Sequence, residues 1–249
     1  MNSAAPRLST RFPVSISKRL TEQGFAFVAG ARMRKTLEMG GQLSDWARFT
    51  ASWDDLVIDP YMADYGRYRR RRHALYEVSA TREITRVAHR AHFQTLEYNP
   101  LNGGMARWFE PVDSAIADGA SMQRILKCCA QLFSALAPQV NVWQVEVHQF
   151  RIEASGTQAG LPTPEGAHRD GADYVLVLLI TRRNIAQGTT HILDLQRSPL
   201  GSFTLRDPFD AALVDDARVY HGVTAVEPLV PGLPAFRDVL VVTFRRYPE

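Results

Sequence analysis

The second half of the sequence is a succession of short β-like segments separated by turn residues, and this pattern restricts the fold more than any other feature. In chain order the segments are VNVWQVEVHQFRI, DYVLVLLI, TTHILDL, GSFTLRD, AALV, ARVYHGVTAVEP and DVLVVTFRRY. Short segments rich in β-branched and aromatic residues, bounded by turn residues, are typical of a β-sandwich or barrel. We therefore expect a mainly β core over residues 141–249.

The part of the chain before residue 141 has a different character. Two stretches, ARMRKTLEMGGQLSDWARF and SMQRILKCCAQLFSALA, carry apolar residues at intervals of three and four, which is helical periodicity. Ser121 is a plausible N-cap for the second helix, and Pro138 is a plausible stop. No linker rich in glycine, serine or proline divides the sequence. We expect a single α+β domain, residues 1–249, with a helical front part over 1–140 packed outside one sheet.

Charge and hydrophobicity exclude several classes of protein. Arginine and lysine together number 29 against 26 acidic residues, an excess too small to indicate a nucleic-acid partner. The longest apolar run, Val175 to Ile180, is far shorter than the roughly 20 residues that a membrane helix needs. The first twenty residues contain no apolar stretch of signal-peptide length. We expect a cytoplasmic protein that binds a small molecule, with no membrane or nucleic-acid partner, and nothing in the sequence indicates its oligomeric state.

The stretch EGAHRDGADYVLVLLI places His168 and Asp170 two residues apart, directly before an apolar run. Alternate side chains of an extended segment point to the same side, with their Cα atoms about 6 to 7 Å apart, so both can reach one ion. Gly171 leaves the backbone behind Asp170 open to close approach. A motif this short also occurs in solvated loops, so the prediction of a metal site needs a third ligand.

His221 is the best candidate for that ligand, because it ends a short strand at a point where a sheet can fold back onto the first pair. Two histidines and one carboxylate form the facial triad of non-haem Fe(II) sites, and zinc is the alternative metal. His191 is an alternative third ligand, but no glycine follows it. Arg237 begins the last strand and can hold a carboxylate through two parallel hydrogen bonds. Arg245 points to the same side of that strand and is the alternative residue for holding the carboxylate. Either arginine could instead be a charged residue on the surface.

In order and spacing, these residues resemble the iron(II)/2-oxoglutarate-dependent dioxygenases with a double-stranded β-helix, or jelly-roll, fold. The sequence is more specifically similar to the bacterial family of L-isoleucine 4-hydroxylase and related free-amino-acid hydroxylases. The similar segments lie between about residue 60 and residue 245. They are RYRRRRHALYEV, HFQTLEYNPLNGGMARWFEPV, VWQVEVHQFRI, PEGAHRDGADYVLVLLITRRNI and VYHGVTAVEP.

The resemblance implies a cupin-like jelly-roll core in which His168, Asp170 and His221 hold Fe(II) and Arg237 holds 2-oxoglutarate. O2 is the other co-substrate, succinate and CO2 are released, and ascorbate is the expected reductant in vitro. We expect hydroxylation of an sp3 carbon in a small substrate, most simply a free aliphatic L-amino acid. A modified or carrier-bound amino acid and a non-catalytic ligand-sensing jelly roll are the alternatives.

Substrate contacts depend on which face of VWQVEVHQFRI points inward. If the face with Arg151 does, this arginine can meet the carboxylate of an amino acid. If the other face does, Glu146 or His148 can meet the ammonium group. Exposed polar positions are the alternative for all three. The arginines of RYRRRRHALYEV, Arg67 and 69–72, are expected to form a solvated or ion-paired edge, with a wall of the active-site entrance as the alternative.

Overall fold

The largest element of the protein is an eight-stranded sheet, seen in a computed structural model that describes residues 12–156 and 158–247. Residues 1–11, in which we predict no targeting signal, lie outside this range. The helices within it are α1 (Val14–Gln23), α2 (Gly30–Glu38), α3 (Trp46–Ala51), α4 (Ser114–Ala117) and α5 (Ala120–Leu136), with a 3-10 helix at Ser52–Asp55.

The strands are β1 (Phe25–Val28), β2 (Val57–Ile58), β3 (Arg69–Val78), β4 (Ile84–Arg86), β5 (Trp143–Ala154), β6 (Tyr174–Arg183), β7 (Ile185–Gln187), β8 (Thr189–Leu193), β9 (Pro199–Thr204), β10 (Ala211–Asp215), β11 (Tyr220–Val223), β12 (Val226–Pro228) and β13 (Ala235–Arg246). The large sheet has the order β1-β10-β6-β13-β5-β3-β2, with β4 paired to β3. Two smaller sheets have the orders β11-β8-β9 and β12-β7, and neighbouring strands are antiparallel throughout. The fold is therefore mainly β, and each segment predicted as β after residue 140 contains at least one strand.

The helices cover one face of the large sheet, as expected. Trp143, Val145 and Val147 on β5 are buried in the same apolar cluster as Ile125 and Phe133 of α5. Burial of each such side chain contributes roughly 1.5 to 3 kcal/mol. Because side chains alternate along a strand, the residues between them on β5 point to the opposite face. That opposite face is where the polar groups of the site lie.

The sheet β11-β8-β9 packs over part of this second face. Ile192 of β8 is fully buried with Val175 and Val214 of the large sheet. Phe203 of β9 lies with its ring centroid 5.4 Å from that of Phe27 on β1. The two sheets thus form a layered β structure with a cavity between them.

The division at residue 140 needs correction, because the front part is not purely helical. It contributes β1, β2, β3 and β4 to the large sheet, and β3 is an interior strand between β5 and β2. Its sequence, RRRRHALYEV, did not suggest a strand because its arginines are charged. Burial of Arg69 and Arg71 depends on Asp59, which lies on a different segment. These two arginines are ion-paired, as one form of the prediction had it, and they line the cavity, which agrees with the alternative of a wall. Only the expectation of a solvated edge is wrong for them, because both are buried.

The start of α5 also differs from the prediction. The helix begins at Ala120, so Ser121 lies in its first turn and is not the N-cap. Asp45 accepts hydrogen bonds from the Ser121 amide at 2.8 Å and from its hydroxyl at 2.5 Å. A carboxylate from a distant turn therefore satisfies a helix end that a local cap usually satisfies. No helix of the described residues is long and apolar enough to cross a membrane.

Candidate metal centre and substrate cavity

His168, Asp170 and His221 converge at one wall of the cavity. Each of them offers a ligand atom, and these atoms lie within 4.8 Å of one another. The Nε2 atoms of His168 and His221 lie 3.4 and 3.5 Å from the two carboxylate oxygens of Asp170. The backbone joins the two histidines, since each accepts a hydrogen bond of 2.9 Å from the other's amide. The structure thus brings the three predicted ligands together on two adjacent segments.

The histidine rings are oriented for metal binding through Nε2. Nδ1 of His168 lies 3.1 Å from the carbonyl oxygen of Gly166, which can only accept a hydrogen bond. Nδ1 therefore carries a proton, and the lone pair of the neutral ring is on Nε2, which faces Asp170. Nδ1 of His221 is 3.8 Å from a carboxylate oxygen of Asp216, which is too far for a hydrogen bond, and it has no hydrogen-bond partner among the described residues. The carbonyl behind His168 is a usual partner of a metal-bound histidine, and at His221 a carboxylate only lies nearby.

Asp216 also fixes the loop that carries Asp170. Its two carboxylate oxygens accept hydrogen bonds from the amides of Asp170, Gly171 and Ala172 at 2.8 to 3.0 Å. Gly171 has φ of +74°, and a Cβ there would lie 2.6 Å from the ring of Tyr98. The glycine is therefore required both by its backbone conformation and by the close packing of Tyr98.

The electrostatics of the triad favour a cation at its centre. Burial raises the pKa of Asp170, but hydrogen bonds from His168 and His221 outweigh burial and hold this pKa well below its usual value. Burial lowers the pKa of His168, yet Asp170 and then Glu165 raise it to about 9. A metal ligand must be deprotonated, so an ion would displace a proton from His168. Two imidazoles and one carboxylate, with ligand atoms this close together, fit Fe(II).

Arg237 lies in the same cavity, on the face of β13 opposite the helices. It is only 2% exposed, and its Nε and Nη2 atoms have no hydrogen-bond partner among the described residues. Burial, and then the charge of Arg182, lowers the pKa of Arg237 to about 10, so the group stays charged at neutral pH. A buried cation without a partner is costly, and a carboxylate would satisfy its donors. Arg245 lines the same cavity but is less buried.

A second cluster, His73, His92, Glu146 and His148, lies on β3, β5 and the loop between β4 and α4, and its ligand atoms also lie within 4.8 Å of one another. Nδ1 of His92 is 2.5 Å from Oε2 of Glu146, and Nε2 of His73 and of His148 are each 3.5 Å from it. Burial lowers the pKa of His73 to about 4 and that of His148 well below its usual value. Burial raises the pKa of Glu146, but the histidines outweigh burial and hold this pKa well below its usual value. His148 thus faces the cavity, as one of the two predictions for this strand had it.

Two other predicted residues do not reach the cavity. Arg151 points to the opposite face of β5, where Asp238 accepts two hydrogen bonds from it at 2.7 and 2.8 Å. The prediction of Arg151 as a substrate contact is therefore corrected by the alternation of β5. His191 is exposed on β8, because the neighbouring positions Thr190 and Ile192 face inward.

Four residues of the site were not singled out from the sequence. Gln94, Arg107 and Glu165 line the cavity, and Asp216 supports the metal triad. Glu165 lies 3.3 Å from His168, only three residues away, and so carried a local signal. Gln94 and Arg107 carried none, because a long loop brings them to the site.

The fold and the site define an iron-dependent oxygenase, and comparison with known sequences agrees. A sequence profile of the family described as 2OG-Fe dioxygenase matches residues 50–243, so the chain belongs to this family. It is an enzyme, a 2-oxoglutarate-dependent dioxygenase, and the family uses Fe(II), 2-oxoglutarate and O2.

The most informative relatives act on isoleucine or its derivatives, according to their names. The chain is 26% identical over 239 residues to the 3(1)-hydroxy-L-isoleucine 4-dioxygenase of Pantoea ananatis (strain AJ13355), covering 92% of this chain and 95% of the relative. It is 26% identical over 160 residues to the L-isoleucine-4-hydroxylase of Bacillus thuringiensis, covering 61% and 64%. The crystal structure of a bsmA homolog from Methylobium petroleophilum PM1 is 38% identical, with a TM-score of 0.84, covering 93% and 92%.

Proposed function

We propose that this dioxygenase hydroxylates an sp3 carbon of a free aliphatic L-amino acid and releases succinate and CO2. The observation that carries the proposal is that the His168, Asp170 and His221 triad shares one cavity with the buried Arg237, whose Nε and Nη2 have no partner in the described part of the chain. The names of the two relatives support an amino-acid substrate.

The site residues have separate roles in this proposal. His168, Asp170 and His221 hold Fe(II), which together with 2-oxoglutarate supplies the oxidising chemistry that inserts oxygen into a C–H bond. Arg237 binds the carboxylate of 2-oxoglutarate remote from the metal, and Arg245 is the alternative for this role. Asp216 keeps the Asp170 loop in place. The apolar side chains Val177, Val239 and Val241 line the cavity and exclude water from the reacting carbon.

The remaining predictions about the whole chain are proposals as well. We propose the jelly-roll, or double-stranded β-helix, description for the layered β structure. A single domain is supported by the large sheet, which takes strands from both sides of residue 140. A location in the cytoplasm stays a prediction.

The test is succinate formation by the purified protein with Fe(II), ascorbate, 2-oxoglutarate and each proteinogenic L-amino acid in turn. Mass spectrometry of the amino acid should show one added oxygen, in proportion to succinate. Asp170→Ala, which removes the anionic ligand, is the control and should release no succinate above background. If no free amino acid stimulates the wild-type protein, the proposed substrate class is wrong, and modified or carrier-bound amino acids become the candidates.

A further inference from the structure

A chain of hydrogen bonds leads from the metal triad to the opposite wall of the cavity. Nε2 of Gln94 donates to the carbonyl oxygen of Asp170 at 3.3 Å. Oε1 of Gln94 accepts from Nη2 of Arg107 at 2.8 Å and from the side-chain amide of Asn99 at 3.2 Å. Both the nitrogen and the oxygen of the Gln94 side-chain amide are therefore hydrogen-bonded. Through Gln94, two hydrogen bonds connect Arg107 to Asp170, a predicted iron ligand.

Arg107 is a second buried cation of the cavity without an acidic partner. It is 1% exposed, its Nη2 donates to the neutral Gln94, and its Nε has no hydrogen-bond partner among the described residues. Arg69 and Arg71, which line the same cavity, are instead paired with Asp59. A planar guanidinium with an unused donor is suited to a carboxylate. Since Arg237 serves one carboxylate in the proposed function, Arg107 is available for another.

A carboxylate in the same cavity is linked to this arginine through His92. Arg107 and His92 exchange backbone hydrogen bonds of 2.9 Å, so their side chains share a face. His92 in turn contacts Oε2 of Glu146 at 2.5 Å. The contacts of Glu146 with the three histidines all fall on Oε2, so Oε1 is available to a donor that enters the cavity.

We propose that Arg107 and Glu146 together recognise the substrate's α-carboxylate and α-ammonium groups, and so restrict the enzyme to free, zwitterionic amino acids. This inference rests on the proposed function and deepens it. A cation and an anion that line one cavity are complementary in charge to the carboxylate and the ammonium group of an amino acid. A peptidyl or carrier-bound amino acid lacks the carboxylate charge, and such a substrate would leave Arg107 buried and unpaired.

The alternative for the second cluster is a metal ion held by its three histidines and Glu146. One contact argues against it. Arg71 has donors only, and its Nη2 lies 2.8 Å from Nδ1 of His148, which must therefore accept. The proton of the neutral imidazole is then on Nε2, the atom that faces Glu146. His148 donates to the carboxylate and has no lone pair there for a metal.

The experiment measures binding of three ligands to wild type, Glu146→Gln and Arg107→Met, each loaded anaerobically with Fe(II) and 2-oxoglutarate. The ligands are L-isoleucine, its primary amide, which lacks the carboxylate charge, and the matching α-hydroxy acid, which lacks the ammonium. If the amino-acid screen identifies a better substrate, that amino acid and its two analogues replace them. We expect each variant to bind L-isoleucine about 10- to 100-fold more weakly than wild type.

The analogues separate direct contact from a structural effect. Arg107→Met should weaken binding of the hydroxy acid but leave binding of the amide unchanged. Glu146→Gln should weaken binding of the amide but leave binding of the hydroxy acid unchanged. Arg107→Lys keeps the positive charge but lacks the planar guanidinium, so it should retain part of the affinity for L-isoleucine. This variant replaces Arg107→Met in the test if the methionine variant does not fold. Glu153→Gln on the outer part of β5 and Arg90→Met on the surface are matched controls and should bind as wild type does.

The outcomes distinguish the two proposals. Unchanged binding of L-isoleucine by both variants overturns the inference and leaves the proposed function intact, as does an equal loss for all three ligands. If wild type binds the amide as well as the free amino acid, the inference is also wrong. If wild type neither binds nor hydroxylates any free amino acid, the proposed function fails, and the inference fails with it.

Discussion

The protein has two compact clusters of histidine and carboxylate, and the clusters differ in the groups that contact the second nitrogen of their imidazole rings. In both, the ligand atoms lie within 4.8 Å of one another. Behind His168 is a carbonyl oxygen, which holds a proton on Nδ1 and leaves Nε2 free to bind a metal. Behind His148 is the guanidinium of Arg71, which has the opposite effect. Proximity of ligand types therefore does not define a metal site, and the partners of the second ring nitrogen do.

The largest expected effect is on iron binding. Asp170→Ala should abolish retention of Fe(II), because two neutral imidazoles alone hold the ion weakly. Glu146→Gln, which removes the negative charge of the second cluster, should retain iron as wild type does. Colorimetric iron determination after anaerobic loading and desalting measures both. Loss of iron from the Glu146 variant would remove the distinction between the clusters.

The buried arginines near the two clusters also differ in their partners. Arg71 pairs with Asp59 and His148 and has one buried donor, Nε, without a partner among the described residues. Arg237 has two such donors, Nε and Nη2. Arg237→Met should raise the KM for 2-oxoglutarate by about 100-fold, since a charge-assisted bidentate contact is lost. Arg245→Met is the matched change on the same strand and should alter this KM little. A larger effect at Arg245 would transfer the role of 2-oxoglutarate anchor to that residue.

A smaller effect is expected at Asp216, which supports the first cluster without being a predicted ligand. Asp216→Asn removes a hydrogen-bond acceptor from the loop of Asp170 and should weaken Fe(II) binding about 10-fold. Asp194→Asn is the control, because Asp194 accepts amide hydrogen bonds in an exposed turn outside the cavity. Titration with Fe(II) under anaerobic conditions compares them. Equal affinity of wild type and Asp216→Asn would show that the loop needs no such support.

The smallest expected effect is on the pH dependence of folding stability in the acidic range. His73 is fully buried, and burial lowers its pKa to about 4 in the folded protein, below its ordinary value of 6.5. Between these pH values the unfolded chain binds a proton that the folded protein does not, so stability falls as pH decreases from 6.5 to 4. The contribution is at most about 3 kcal/mol. Urea unfolding of His73→Phe should show a shallower loss over this window than wild type, while His191→Asn on the surface should match wild type.

Site residues could be predicted where the relevant pattern lies within a few residues of the chain. Residues that depend on distant segments could not. His168 and Asp170 are two residues apart, and strand alternation alone places them on one side. His221 and Arg237 were found because each lies at the start or end of a recognisable strand. Arg107 carried no signal, since its burial depends on the loop from β4 to α4 folding over β5.

The fold shows the same dependence. Segments after residue 140 alternate apolar and polar residues or form apolar runs, and both patterns predict strands directly. β3 was missed because Arg69 and Arg71 become interior residues only when Asp59 and the rings of Phe109 and Phe150 surround them. Periodicity detects an apolar face, and it does not detect a charged face that is neutralised by distant residues.

The position of β13 has a consequence for how the protein is made. This strand is the last one in the described chain, yet it lies between β5 and β6 in the sheet and pairs with both along most of its length. During synthesis β5 and β6 emerge first and have no partner to join them until residues 235–246 leave the ribosome. The nascent protein therefore exposes these two open strand edges while residues 184–246 are synthesised, and open edges are ready sites for aggregation. The cavity, to which Arg237 belongs, is incomplete until β13 joins the sheet.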